Sequence, residues 1–474
     1  MPQTSLRSSG ILGIRLQHGQ ISYAPGDTIT GCVFRTSKTV SPKASVTISL
    51  HGRTKSLTSE SRGMGASVTY RGRFNLVNSS RSKQRIFHGP LHIPNAGQEQ
   101  AWPFAITIPT HVDHTTLGST PRDQSYLPLD SGDFATRPLP STFTLNHNGF
   151  TCDLEGFVEY FLKAELRLIE KGSEVVVDAI LPFNVVVLNP GPPIVDFKTK
   201  AFRGSCVVSS YRLVPGNEDA QLSFSQKTKQ LFATTNVPKF GLTLHIDFPT
   251  VIQLENLNPV PFLIRLAPDW HRTSQDVQGI PQKARLTRLS MKIVAATEIR
   301  CEGTFSPHHE DTKMQSDLDI ASAIGHLGRD IYIPCTEESP PVNVGEMINL
   351  RIGYHGRLGQ RYSHEALGPS FKTYNIRQSH SLNWAISLEM AGQSFKVSSS
   401  TPLTILPPSD NRVHAANAQG SGHSQYASTK VTPLQTSESW IQPPEEEKAP
   451  PSFSQVQEED KNWKEYEDGD VKKA

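Results

Sequence analysis

The sequence predicts an all-β protein, two β-sandwiches in tandem followed by a disordered acidic tail. Three observations carry this expectation. Apolar and polar residues alternate with a period of two in run after run, the mark of strands with one buried face. Proline and glycine, 35 and 33 of the 474 residues, punctuate those runs at strand-length intervals. No stretch of the first half sustains the 3.6-residue period of an amphipathic helix. A chain of 474 residues is also too long for one hydrophobic core.

Taken in order, Leu12, Ile14 and Leu16 alternate into a first strand. Pro25-Gly26 then reads as a type II turn, because proline presets φ and glycine accepts the positive φ that follows. Beyond it Ile29, Gly31 and Val33 share one face, and the missing side chain of Gly31 marks a bulge or a close backbone approach. Val46, Ile48 and Leu50 form the next run. Trp102, Phe104, Ile106 and Ile108 form another, stopped by Pro109. Thr110 to Pro138 has no sustained period and reads as a long surface loop. Val158, Tyr160, Leu162, Ala164, Leu166 and Leu168 make the clearest strand, with Glu159, Lys163, Glu165 and Arg167 on its opposite face. Val175 to Val187, broken by Asp178, Pro182 and Asn184, reads as two closing strands.

Asn189-Pro190-Gly191-Pro192-Pro193 is a semi-rigid boundary. An irregular lead-in from Phe197 to Asn236, holding one or two short strands, precedes a second set of runs. These are Leu242–Phe248, Phe262–Leu266, Leu289–Ile293, Ile348–Ile352, Leu382–Leu388 and Leu403–Ile405. From Pro408 the pattern is lost: Ser, Gln, Pro, Asn and charged residues dominate and roughly the last thirty residues lean acidic (Glu445–Glu447, Glu458–Asp460, Glu465–Asp470), so the tail reads as disordered. The expected units are residues 10–189, a connector over 190–196, residues 197–407, and the tail over 408–474.

Five scattered cysteines with no C-x-x-C spacing argue against a disulfide framework or a zinc site and for a reducing compartment. No stretch approaches the roughly 20 apolar residues of a membrane span, and Met1–Gly10 lacks a signal-peptide core. The expectation is a cytoplasmic protein, at most peripheral to a membrane. No nucleophile-elbow, P-loop, zincin or dinucleotide fingerprint occurs. The densest set of potential ligands, His308-His309-Glu310-Asp311, reads as a solvated loop rather than a metal site.

Charge is the most informative feature. Between Thr28 and Gln98 the only acidic residue is Glu60, against Arg35, Lys38, Lys43, Arg53, Lys55, Arg62, Arg71, Arg73, Arg81, Lys83 and Arg85, while the whole chain carries +2. Such a field gathers anionic partners, and arginine suits phosphate because its planar fork binds two oxygens. Arg71, Arg73, Arg81, Lys83 and Arg85 are the candidate contacts to acidic tails or phosphoinositides. The bland alternative is a solvated Ser/Arg loop over Ser56–Ser82. Nucleic acid is disfavoured because no RRM, KH or zinc-finger pattern accompanies the charge.

The segment Tyr23-Ala24-Pro25-Gly26-Asp27-Thr28-Ile29-Thr30-Gly31-Cys32-Val33 resembles the start of the arrestin-like N-terminal domain of α-arrestins. Tyr23, Pro25, Gly26, Asp27 and Gly31 fill that family's aromatic, turn and glycine positions. Leu139-Pro140-Ser141-Thr142-Phe143, followed by the strand Gly156–Ala164, continues the likeness. Thr373-Tyr374-Asn375-Ile376, Leu382–Leu388, Gly392 and Pro402–Leu406 resemble the closing segments of the arrestin C-terminal domain. The resemblance spans residues 10–190 and 240–406. It implies immunoglobulin-like sandwiches in the arrestin arrangement and a non-catalytic adaptor without cofactor. Such an adaptor would bind membrane-protein cargo tails at the plasma membrane or endosomes and link them to endocytic sorting and ubiquitination.

Family members recruit HECT-type ubiquitin ligases with WW domains through Pro-Pro-x-Tyr motifs, which this chain lacks. Pro450, Pro451 and Phe453 form the nearest approach, a degenerate docking site without the phenolic hydroxyl. A retromer-like coat subunit, which needs no ligase motif, is the alternative; an enzyme on a β-sandwich is a third. The acidic tail could also fold back on the basic first half, on charge complementarity alone.

Overall fold

The computed structural model describes residues 3–8, 12–19, 22–61, 67–113, 125–129, 137–149, 152–170, 172–218, 221, 223–231, 237–303, 308–358 and 367–410. The chain is all-β. Its first half contributes β1 (Leu12–Leu16), β2 (Ser22–Tyr23), β3 (Thr28–Arg35), β4 (Thr39–Ser61), β5 (Ser67–Asn75), β6 (Gln84–Ile93), β7 (Gln100–Thr107), β8 (Phe143–Asn148), β9 (Cys152–Glu170) and β10 (Ser173–Val185). A three-stranded sheet, β1-β3-β7, faces a seven-stranded one ordered β2-β10-β9-β4-β5, with β6 on β4 and β8 on β9. Ile29, Val33, Trp102 and Ile106 from the first meet Val46, Ile48, Leu50, Val158 and Leu162 from the second in one buried cluster.

The turn ahead of β3 forms as its residues dictate. Gly26 has φ +92°, and Asp27 N–H donates to Ala24 O at 3.0 Å. The Asp27 carboxylate accepts from Ala24 N at 2.8 Å. Gly31 is the close approach, since a Cβ there would lie 2.3 Å from Arg15 O.

The second half adds β11 (Lys200–Ser209), β12 (Lys239–Phe248), β13 (Val251–Gln253), β14 (Leu263–Asp269), β15 (Gln282–Cys301), β16 (His308–Asp317), β17 (Tyr332–Cys335), β18 (Val342–Asn343), β19 (Ile352–Gly353), β20 (Gly356–Arg357), β21 (Phe371–Lys372), β22 (Ile376–Met390) and β23 (Gln393–Leu406). Three short helices, α1 (Phe224–Leu231), α2 (Ile320–Gly325) and α3 (Val344–Met347), lie between them. Eleven of these strands join in one sheet, whose main path runs β11-β12-β14-β17-β15-β22-β23-β13. The sheet curls until its distant strands share a core. Trp384 of β22 packs with its ring centroid 5.5 Å from both Phe202 of β11 and Phe248 of β12. Ala391 and Gly392, both at positive φ, close the tight β22–β23 hairpin.

Several expectations need correction. Much of the Ser/Arg region is strand rather than loop: residues 53–61 of β4 pair with 67–75 of β5 in antiparallel register. Val175–Val187 is one strand over most of its length, with Pro182 opposite Phe161 near the edge of the sheet, where a missing N–H costs no ladder bond. Ile348–Ile352 is not a strand. Val344–Met347 is helical, Asn349 has φ +49°, and only Ile352–Gly353 is extended. His308–Asp311 begins β16 rather than a loop. The connector is tied down at both ends: Asn189 bridges to Ser409, and Ile194 N–H donates to Gln253 Oε1 at 2.9 Å.

The halves meet through the far end of β4. There the inward positions are Thr54, Ser56 and Thr58, polar yet buried. Thr54 Oγ1 donates to Asn375 Oδ1 at 2.7 Å and Asn375 Nδ2 donates to Ser56 Oγ at 2.8 Å. Ser56 Oγ donates in turn to Arg300 O at 2.5 Å. Ile299, Tyr374 and Ile376 of the second half belong to the first half's core. Of the Thr110–Pro138 stretch, residues 125–129 are held against this seam. Tyr126 N–H donates to Tyr374 O at 2.7 Å, and the Arg300 guanidinium sits 4.1 Å from the Tyr126 ring centroid. Burial, with the Glu298 charge, pushes the Tyr126 phenol up to about 12 despite the two nearby arginines. No helix among the described residues is long and apolar enough to cross a membrane.

Candidate functional site on the outer face of the first sheet

Because side chains alternate along a strand, burying Val46, Ile48 and Leu50 sends Thr47, Ser49, His51, Arg53 and Lys55 of β4 to the other face. The β4–β9 register places Glu165, Lys163, Phe161, Glu159 and Phe157 beside them in that order. β5 adds Arg73 opposite Lys55 and Arg71 opposite Leu57, and β6 adds Arg85 opposite Thr47. Arg53, Lys55, Arg71, Arg73 and Arg85 thus gather on one face of one sheet.

They do not form one site. Thr47 and Lys55 are eight residues apart on β4, so the Arg85 and Arg73 ends stand roughly 26 Å apart at about 3.3 Å per residue. Arg81 pairs with Asp113 at 3.2 Å and Lys83 with Glu165 at 3.7 Å. Arg71 and Arg85 meet no carboxylate among the described residues, and Arg73 reaches only Asn75 Oδ1 at 3.5 Å. All five side chains are exposed.

Between those ends lies an arrangement the alternation alone conceals. Glu159, on the expected solvent face, is 4% exposed. Its carboxylate accepts from Lys55 Nζ at 2.8 Å and Arg53 Nε at 2.5 Å. Thr4 adds its N–H and its hydroxyl, each at 2.8 Å. Burial pushes the Glu159 carboxyl up, but the hydrogen bonds from Lys55, Thr4 and Arg53 outweigh it and hold the group below its ordinary value. Lys55 is lowered by burial even against the pull of Glu159. Both values are lowered, which favours the charged carboxylate but disfavours the charged ammonium. The multiply bonded carboxylate gains from the contact, while the ammonium only recovers part of its desolvation cost. Arg53 and Lys55 also lie over the rings of Phe161 and Phe157, at 4.9 Å and 5.4 Å from their centroids.

His51 stacks on Phe161 at 4.8 Å. Burial first, then the Lys163 and Arg53 charges, lower it to about 4, so it is neutral at pH 7. A hollow of about 290 Å³ opens beside it, lined by Arg53, Arg73, Asn75 and Asn78. A larger one of about 520 Å³ lies at the opposite end, among Lys43, Ser45, Arg85, His88, Arg167 and Glu174.

The remaining residues singled out in the sequence are structural or lie elsewhere. Tyr23 is buried in the core with Phe183 at its edge, 5.8 Å between centroids. Pro25, Gly26, Asp27 and Gly31 shape the turn and strand and touch neither hollow. His308 contacts Glu60 at 3.3 Å and His309 contacts Glu298 at 3.2 Å, on opposite faces of β16. Among the described residues no three His, Cys, Asp or Glu side chains converge to hold a metal. Pro450, Pro451 and Phe453 lie outside the described residues. Lys43, His88 and Arg167 were not picked out as site residues from the sequence. Lys43 counts only toward the basic balance of the sequence and Arg167 only toward a polar strand face; the adjacent apolar pair Ile86-Phe87, which breaks an alternating run, is the trace of the irregularity that brings them together.

No protein-family model matches the chain, and no curated protein matches it.

Proposed function

We propose that this protein is a non-catalytic, arrestin-like adaptor. It holds acidic segments of membrane-protein partners on the outer face of the first sheet and links them to endocytic sorting and ubiquitination. The observation that carries the reading is the set Arg71, Arg73 and Arg85. These cations stand exposed and without carboxylate partners on a face whose buried carboxylate, Glu159, is already saturated by Lys55, Arg53 and Thr4. Free guanidinium groups on a flat, extended surface suit a chain of carboxylates or phosphates, which each can grip with two parallel hydrogen bonds. The resemblance around Tyr23–Val33 and Thr373–Ile376 supports the arrestin-like part, and with it a position peripheral to the plasma membrane or endosomes. Ligase recruitment rests on Pro450, Pro451 and Phe453.

The test is fluorescence anisotropy of a labelled peptide rich in aspartate and phosphoserine against the full chain. Arg71→Glu/Arg73→Glu weakens binding at least about tenfold, the effect of losing one or two charge-assisted contacts. Affinity unchanged by that reversal overturns the reading.

A further inference from the structure

The larger hollow exists because the β4–β6 ladder is broken twice. Between Ser41 and Ala44 the partners advance only from Leu91 to Gly89, so β4 holds one extra residue and Pro42-Lys43 bulges out. Between Val46 and Thr47 the partners advance from Phe87 to Arg85, so β6 holds the extra residue, Ile86. In a regular strand, residues three apart point to opposite faces. The second bulge cancels that rule: His88 falls opposite Ser45 and Arg85 opposite Thr47, two apart on β4 and hence on one face. On the other side of β4, Arg167 is also opposite Ser45. Arg167, Ser45 and His88 thus form one row across three strands, with Arg85 in the next row and Lys43 standing at the first bulge. The two irregularities converge on one hollow of about 520 Å³, a volume in the range of small-molecule sites.

The charges there are unbalanced. Among the lining residues Lys43, Arg85 and Arg167 face a single carboxylate, Glu174, which Arg167 holds at 3.6 Å. Arg167 also lies 3.9 Å from Glu165. Lys43 and Arg85 have no carboxylate partner among the described residues. His88 and the Ser45 hydroxyl add hydrogen-bonding groups at the wall.

We infer that this hollow binds a compact ligand bearing two or more phosphate groups, the chemistry of a phosphorylated inositol, free or as a lipid headgroup. Three cations converging from three strands match closely spaced phosphates better than an extended peptide, whose charges would follow a strand direction. The inference rests on the reading of this face as anion-binding and shares Arg85 with that reading, while Lys43 and Arg167, the residues tested below, belong to the hollow alone.

The experiment uses the full chain and calorimetric titration with inositol trisphosphate, then co-sedimentation with phosphatidylcholine vesicles with and without phosphatidylinositol bisphosphate. Lys43→Glu/Arg167→Gln weakens trisphosphate binding at least about tenfold and leaves the acidic-peptide affinity in place. Arg71→Glu/Arg73→Glu does the reverse, so the two readings fail separately. Inositol monophosphate binds at least about tenfold more weakly than the trisphosphate if several phosphates are gripped at once. Trisphosphate binding without vesicle recruitment identifies a free ligand; recruitment that requires the bisphosphate lipid identifies the headgroup. Absence of trisphosphate binding, or binding indifferent to Lys43→Glu/Arg167→Gln in a chain whose unfolding midpoint is unchanged, overturns the inference.

Discussion

Two cationic clusters on the same sheet face make opposite use of charge. Around Glu159 the fold spends its cations on itself. Lys55 is 3% exposed, its carboxylate partner 4%, and Thr4 seals the cluster from the N-terminal side. Around the bulged hollow Lys43 and Arg85 are exposed, and no carboxylate among the described residues neutralises them. Both clusters come from one basic stretch of sequence and one pair of central strands. A count of lysines and arginines therefore measures the field a segment could make, while the strand register decides how much of it is left for a partner.

The largest expected effect is at the buried cluster. Glu159→Leu strands Lys55 and Arg53 without their counter-charge and lowers stability by about 3–5 kcal/mol. Adding Lys55→Met removes the stranded ammonium and restores most of the loss. Urea unfolding of both variants checks this, and a double variant no better than the single would remove the distinction between the clusters.

Next in size is the response to acid. His380 of β22, 5% exposed and hydrogen-bonded through Nδ1 to Ser370 Oγ at 2.8 Å, is lowered by burial to about 4. The unfolded chain then binds this proton more readily than the folded one between about pH 6.5 and 4. Stability falls as pH drops through that window, by about 3 kcal/mol from this group. Glu159 adds a loss at lower pH, since its depressed carboxyl contributes stability above its unfolded value that vanishes as pH falls through the folded one. His380→Phe makes the first limb of the unfolding-midpoint profile shallower, leaving the part that His51 supplies, and leaves the second limb unchanged.

The smallest effect is the other side of the comparison. Lys43→Glu/Arg167→Gln, at exposed positions, shifts stability by no more than about 0.5 kcal/mol. A larger shift in the denaturation curve would make the hollow as structural as the Glu159 cluster.

Much of the fold was legible. Ile29–Val33, Val158–Leu168, Leu242–Phe248 and Leu382–Leu388 all bury the faces their alternation marked. What escaped were places where tertiary contact overrode local pattern. Glu159 sits at a polar-face position and is buried because Thr4 and Lys55, remote in sequence, close over it. Ile348–Ile352 alternates like a strand, yet Asn349 turns left-handed and breaks it. The hollow stayed hidden because a bulge is a relation between two strands, and one sequence displays each strand alone.

The 23-residue strand β4 runs through all of these regions. Lys43 lies at its bulged start, Arg53 and Lys55 in its middle, and Thr54, Ser56 and Thr58 at the seam with the second half. Inserting or deleting one residue between Thr47 and Arg53 would invert everything on one side of the change. Hollow and seam could no longer both be right. Length variation in this strand is therefore closed to drift, whereas substitutions at Lys43, Arg71, Arg73 and Arg85 leave the ladder intact. The partner preference of such a surface can change residue by residue, but its scaffold can be inherited only whole.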